Sequence, residues 1–353
     1  MKGAWWKFGG VFIFIYVLIG GLMTPLNPGV TSVSPSRAES GSVVKLSVTG
    51  YNTHFKTGGE IRAWLKLDSI YSIRAVDRVS SDENHAEFTF NLPNTFPDAG
   101  KVYPLTLIID NEKDGAFVQP SALFVSHPEG ISALDPEEWT RDKIADLHQK
   151  SKTGFPYRNI LNETIRNTFF HVALWFAMFL LLIAGIYYAV LYLKTKEISY
   201  DIRSASFTRI AIMYGILGLF TGSVWAKFTW NTFWTTDVKL NMTAVAMLIY
   251  LAYLVLRGSA TDQDKRAKLS AVYSIFAFIA LIPLIFVIPR LADSLHPGNG
   301  GNPALGGEDL DNTLRMYFYP SIIALTMLGT WMATLLIRYD LLKDRFLTQS
   351  DKK

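Results

Sequence analysis

Two histidines and three tryptophans are where the chemistry of this chain concentrates. The stretch Thr221–Leu240, TGSVWAKFTWNTFWTTDVKL, holds Trp225, Trp230 and Trp234 together with Phe228, Phe233 and one acid, Asp237. His171 and His296 are two of only six histidines in the chain. Imidazole nitrogen is an axial donor for iron, and an indole face is a flat apolar surface on which a planar ring can stack or be walled in. Two imidazoles beside such a surface suit a planar metallo-macrocycle. Its carboxylate substituents would call for cations, and Lys239, Arg290 and Arg315 are available for charge-assisted contacts. Each residue also has an ordinary use. A histidine at a membrane boundary is commonly an interfacial polar group, His296 in a Gly-rich loop can simply be solvated, tryptophans form interfacial belts, and Asp237 can cap the helix that follows it.

The elements that bring these residues to one place are apolar runs. Six are long enough to span a bilayer core: Trp5–Met23, His171–Leu193, Phe207–Val224, Leu240–Leu256, Ala271–Pro289 and Met316–Ile337. The formal charge of +4 does not point to nucleic acid, because the basic residues collect on one side of these runs. Lys2 and Lys7 lie at the first run, and Lys194, Lys196 and Arg203 lie after the second. Arg257, Lys265, Arg266 and Lys268 follow the fourth, and Arg338, Lys343, Arg345, Lys352 and Lys353 follow the sixth. The positive-inside rule makes that side cytoplasmic, so both termini are expected inside. The segment GGLMTPLNP offers no clear small-x-small cleavage site, which favours a retained first span. By parity His171, the tryptophan-rich stretch and the loop Arg290–Arg315 with His296 all fall on the outer face. With no cysteine, a thiolate metal site, a thiol redox role and a disulfide-stapled ectodomain are excluded.

Between the first two runs lies a segment of different character. VVKLSVTG (43–50), EIRAWLKL (60–67), HAEFTFNLP (85–93), KVYPLTLIID (101–110) and SALFVSHP (121–128) read as short strands punctuated by Gly, Pro, Asn and Asp. Asp135-Pro136 is a helix-start pair, and a helix over Pro136–Lys150 would put Trp139, Ile144 and Leu147 on one face. Pro283 predicts a kink in the fifth span. The expected fold is an all-α polytopic membrane bundle of six transmembrane helices with an inserted periplasmic all-β immunoglobulin-like sandwich. Its divisions are an anchor over 1–27, the sandwich over 28–130, an amphipathic linker over 131–165, a five-helix membrane domain over 166–340 and a cytoplasmic tail over 341–353. The opening SVSPSRAESGSVVKLSVTGYNTHF also resembles the start of immunoglobulin-like domains of the IPT/TIG type.

GSVWAKFTWNTFWTTDVKL resembles the tryptophan-rich "WWD" segment of the haem-handling membrane proteins, above all the cytochrome c maturation protein C family. That family's pattern runs approximately G-S-x-W-G-x-x-x-W-x-x-W-W-x-W-D-x-R-L. Gly222, Ser223, Trp225, Trp230, Trp234, Asp237 and Leu240 stand in register with it. His171 in HVALW and His296 in HPG match the family's two histidines, and the resemblance covers about residues 165 to 340. Departures are Ala226 for a glycine, Phe233 and Thr236 for tryptophans, Lys239 for the arginine, and no proline soon after His171. The insert at 28–160 sits where that family has a short first outer loop, and its role is not carried over. The resemblance implies a bacterial inner-membrane protein that holds haem b transiently. His171 and His296 would be the axial ligands, against Trp225, Trp230, Trp234 and Asp237, with Lys239, Arg290 and Arg315 available to the propionates. It implies delivery to a haem chaperone, an ABC-type exporter as partner, no nucleic acid, and no covalent chemistry on its own side chains. Two alternatives stand beside it: a system II haem-delivery and cytochrome c synthase subunit, and a membrane-anchored scaffold whose sandwich binds a partner.

Overall fold

The computed structural model describes residues 3–98, 100–128, 135–139, 144–149, 153–159, 161–296 and 310–350. The chain divides into two compact units, Met1–Met23 with Glu163–Lys353, and Thr24–Asn162. Lys2, Lys352, Lys353, the Pro297-Gly298 pair and the 130/131 boundary lie outside the described residues.

The first unit is helical. Its long elements are α1 (Trp5–Met23), α3 (His171–Thr195), α4 (Ile198–Trp230), α5 (Val238–Ser259), α6 (Gln263–Ile282) and α7 (Asn312–Ser350). Among the described residues six helical segments are long and apolar enough to cross a membrane, which makes this a multi-pass membrane protein. α1 coincides with its apolar stretch, whereas α3, α4, α5 and α7 run past the stretches that announce them. α4 spans 33 residues and α7 spans 39, with Pro320 inside it. Their ends follow local chemistry. Lys196 adopts a left-handed conformation at the end of α3 and donates its N–H to Tyr192 O. Asp262 caps α6 by accepting from Lys265 N. At Pro283 the helix widens into a π-turn, Pro283–Val287, and tightens into a 3₁₀ turn, Ile288–Arg290. That is the interruption expected where proline removes a backbone donor.

Glycines set how closely α3 and α4 approach. A Cβ on Gly185 would meet Thr208 Oγ1 at 2.9 Å, and one on Gly218 would meet Trp175 Cε2 at 2.8 Å. Small residues at a helix interface allow such contact, which dispersion between backbones then rewards. Two ion pairs tie α4 to α5 and α7. Arg257 on α5 pairs bidentately with Asp201 on α4 at 2.8 and 2.6 Å. Arg209 on α4 pairs with Asp340 on α7 at 2.9 Å.

The second unit is a pair of sheets around one core. One sheet has the order β1 (Gly29–Ser34), β3 (Val43–Tyr51), β7 (His85–Asn91), β6 (Asp77–Ser80). The other has the order β2 (Arg37–Glu39), β9 (Gly115–Ser126), β8 (Val102–Asn111), β4 (Arg62–Lys66), β5 (Ser72–Arg74). Alternation sends Val44, Leu46 and Val48 of β3 inward to meet Leu105, Leu107 and Ile109 of β8 in the same apolar cluster. The strands β1, β2, β5 and β6 were not foreseen, being short and largely polar. β9 begins at Gly115 rather than at 121, because Pro120 sits at a bulge where the pairing with β8 shifts between Leu105 and Leu107.

The helix expected over Pro136–Lys150 is a correction. Among the described residues of this stretch only α2, Pro136–Trp139, is helical, and 144–149 is irregular. Asp146 takes a φ of 51°, which a helix does not accommodate. The buried carboxylate of Asp110 accepts from His148 N at 2.8 Å and Arg62 Nε at 3.1 Å, and Ala116 N donates to His148 O. Trp139 is fully buried, edge-on to Phe96 at 4.9 Å, with its indole N–H donated to Thr95 O. Leu147, expected beside it, is exposed.

Candidate functional site

The tryptophan-rich stretch is mostly helix, where a connecting shelf was expected. α4 continues to Trp230, so Trp225, Phe228 and Trp230 stand on its last turns. Asn231 ends it in a left-handed conformation with φ 58°. The chain then folds back. Ser223 Oγ donates to Phe233 O at 2.9 Å, and Lys227 Nζ donates to Asn231 O at 3.0 Å. Trp225 and Trp230 meet edge-to-face at 4.9 Å. Trp234 stands apart from that pair, 41 % exposed, its indole N–H donated to Asn241 Oδ1.

Asp237 joins two distant parts of the sequence. As the cap of α5 its Oδ1 accepts from Lys239 N at 2.9 Å and Leu240 N at 3.3 Å. The same carboxylate reaches the loop after the fifth span. Oδ2 accepts from Leu295 N at 2.7 Å, and Oδ1 lies 3.1 Å from His296 Nδ1. The His296 ring packs 5.0 Å from Trp230 and 5.9 Å from Trp225. Burial pushes Asp237 up, but the Ser294 hydroxyl, the Leu295 N–H and the imidazole outweigh it and hold its carboxyl below the usual range. His296 is lowered to about 4, by burial first and then by the Lys239 charge, against the pull of Asp237. At neutral pH the ring is therefore neutral, with its Nδ1–H donated to a carboxylate and its lone pair on Nε2. A carboxylate behind an imidazole in this way fixes the tautomer, orients the ring and raises its basicity as a ligand.

His171 opens α3 and is held by α4. Its Nδ1 lies 3.0 Å from Gly218 O and 3.2 Å from Thr221 Oγ1, and Trp175, one turn on, meets it edge-on at 6.2 Å. The carbonyl can only accept, so Nδ1 carries the proton and Nε2 again carries the lone pair. The start of α3 is pinned from three sides. Ser321 donates to Phe169 O, Arg166 Nη1 donates to Gly21 O at 2.6 Å, and Asn167 Nδ2 donates to Thr221 O at 3.4 Å.

His171 lies within electrostatic range of both His296 and Lys239. Lys239, half-buried on the first turn of α5, also feels Asp237 and Arg290. Arg290 closes the 3₁₀ turn after the fifth span and is exposed. Arg315, on the first turn of α7, donates to Asn312 Oδ1 at 3.4 Å. The geometry thus gathers His296, Trp225, Trp230 and Asp237 into one contact group, sets His171 and Lys239 at its edge, and leaves Trp234 and Arg315 outside. Gly218, Thr221 and Leu295 were missed. Nothing in the local sequence marks the Gly218 carbonyl as the partner of His171, or the Leu295 N–H as the partner of Asp237.

Residues 156–352 match the sequence profile of the Heme exporter protein C family, over more than half of the chain. The chain belongs to the Heme exporter protein C family. Among individual relatives, Heme exporter protein C of Bradyrhizobium diazoefficiens is 27% identical over 149 residues, 41% of this chain and 54% of that protein. Its Haemophilus influenzae counterpart is 23% identical over 165 residues, 45% of this chain and 66% of that protein. Cytochrome c biogenesis protein CcsA of Prochlorococcus marinus is 38% identical over 63 residues, 18% of this chain and 20% of that protein. The chain thus spans between half and two thirds of the length of the Heme exporter protein C relatives it matches. The family match begins at residue 156 and leaves most of the two-sheet unit unmatched.

Proposed function

We propose that this protein holds haem at the outer face of a bacterial inner membrane and passes it on during c-type cytochrome maturation. The observation that carries the reading is the pair of imidazoles. Each has its Nδ1–H committed to a protein acceptor, Gly218 O for His171 and Asp237 for His296, and each therefore offers Nε2 as a donor. Trp225 and Trp230 supply the apolar wall beside His296; Trp234, exposed and outside that contact group, is assigned to the haem surface on the resemblance alone. Lys239, Arg290 and Arg315 are the cations assigned to the propionates. Haem is cargo in this reading, of b type and transiently held. The chain's own contribution is ligation, orientation and electrostatics, with no catalytic step of its own.

The partners are a haem chaperone that receives the cargo and ABC-type exporter subunits, a reading supported by the likeness to heme exporter proteins. The two-sheet unit is read as a periplasmic immunoglobulin-like domain within 28–130, joined through the linker 131–165 to the membrane domain 166–340. The tail 341–353 and the N-terminal anchor 1–27 are read with both termini cytoplasmic. The short stretch of likeness to CcsA favours a second reading, a system II delivery and synthase subunit. The scaffold alternative rests on the two-sheet unit alone.

The test is an optical spectrum of the detergent-purified protein, oxidised and reduced, beside His171→Ala and His296→Ala. A Soret band with six-coordinate features that weakens in both variants is expected. A band that survives both changes refutes two-histidine ligation. No band even after haem is added back favours the scaffold.

A further inference from the structure

Gly222 stands where α4 passes the His171 ring. A Cβ built on it would lie 2.5 Å from His171 Cε1, 3.2 Å from Nδ1 and 3.4 Å from Nε2. The first distance is inside any van der Waals contact, so the ring occupies the space that a side chain would take. The ring has little room to yield. Its Nδ1 is tied to Gly218 O and Thr221 Oγ1, and Trp175 stands edge-on beside it. Trp175 is itself pressed onto Gly218, whose Cβ would lie 2.8 Å from Cε2. Residues one turn apart on α3, His171 and Trp175, are therefore seated on residues one turn apart on α4, Gly222 and Gly218.

We infer that Gly222 is a positioning residue for the His171 ligand: its bare Cα forms the slot that sets the depth of the ring and so the place of Nε2. This rests on the reading that His171 and His296 hold haem. It gives the glycine that opens the tryptophan-rich segment a task distinct from helix packing in general. Any side chain at 222 would lever the ring off the Gly218 carbonyl, releasing both its orientation and its tautomer.

Two measurements on the full-length purified chain decide it. The first needs no haem: thermal unfolding of wild type, Gly222→Ala, His171→Ala, the double variant, and Gly258→Ala, a position where a Cβ meets nothing within 4 Å. Alanine is ordinarily the better helix former, so Gly258→Ala should hold or raise the midpoint. Gly222→Ala should lower it, and removing the ring should relieve the loss, leaving the double variant within about a degree of His171→Ala. If Gly222→Ala does not accumulate, the double variant must. Losses that simply add, or a double variant that also fails, overturn the slot. The second measurement is spectroscopic. Gly222→Ala should lose haem about tenfold, as His171→Ala does, with six-coordinate features giving way to five-coordinate ones. Excess imidazole should restore the six-coordinate spectrum in both. Should His171→Ala leave the spectrum of wild type unchanged, the ligation reading fails while the thermal cycle still judges the slot. Should His171→Ala lose haem and Gly222→Ala keep it, the inference fails alone.

Discussion

Replacing Asp237 by asparagine removes one charge and almost no volume, and tests whether this carboxylate supports His296 as a ligand. Its Oδ1 accepts from Lys239 N, Leu240 N and His296 Nδ1, and its Oδ2 accepts from Leu295 N at 2.7 Å. An amide has one acceptor oxygen. With that oxygen in the Oδ1 place, the cap of α5 survives, but the NH₂ group faces the Leu295 N–H. That part-buried donor, left facing another donor, costs about 1 kcal/mol, the low end of the range for an unsatisfied group. Turned the other way, the amide opposes three donors at once, so the first rotamer is expected. The imidazole then leans on a neutral amide oxygen instead of a carboxylate, and its loop loses an anchor. Loss of such a supporting partner typically weakens metal affinity about 10–100-fold, or about 1.4–2.7 kcal/mol. Haem titration of the haem-stripped full-length protein should show that shift for Asp237→Asn, with a modest change in thermal midpoint. Asp237→Ala should add the loss of the cap, about 1 kcal/mol more. An Asp237→Asn protein that titrates within about twofold of wild type, while His296→Ala loses haem, would refute the idea that the carboxylate supports the ligand.

Three further outcomes follow from the same structure. The Asp201–Arg257 pair is buried and bidentate, so Arg257→Ala should destabilise the protein by roughly 3–5 kcal/mol; Asp201→Leu in the same chain should recover part of that in thermal unfolding, and simple addition of the losses would contradict the pairing. Burial raises the pKa of Asp110, but hydrogen bonds from Arg62 and His148 outweigh it and hold the carboxyl below its ordinary value. Its stabilisation is therefore complete above the unfolded value of about 3.9 and is lost as pH falls through the lower folded value; Asp110→Asn should flatten the acid limb of unfolding followed by circular dichroism, and an unchanged limb would show that the carboxyl is not the group responsible. Trp139→Ala should cost about 3–5 kcal/mol, because the ring lies in the apolar core of the two-sheet unit and its indole N–H is satisfied by Thr95 O; hydrogen exchange of β8 and β9 should rise, and protection equal to that of wild type would place Trp139 outside the core.

What could be read from the chain divides by the range of the interaction. The membrane helices are legible because their signal is local: bilayer thickness demands a long apolar run, and Trp5–Met23 begins and ends as helix where its apolar run does. α4 was cut short at Val224 because Lys227, Thr229 and the tryptophans lower hydropathy, while hydrogen bonding along the helix continues until Asn231 turns left-handed. The helix assigned to 136–150 failed for the opposite reason. Its periodicity was weak, and the buried Asp110 offered His148 tertiary hydrogen bonds that no local pattern announces. The same distinction runs through the candidate site. Asp237 as a cap is visible in the sequence, being the acid before an apolar run, whereas Asp237 as the partner of His296 requires closing a loop of 59 residues. Residue type and membrane side brought His171 and His296 to one face. The selection of Nδ1 as the engaged nitrogen on each ring comes from a backbone carbonyl and a helix cap, which are properties of the folded chain. A site of this kind is therefore announced by its donors and specified by what stands behind them.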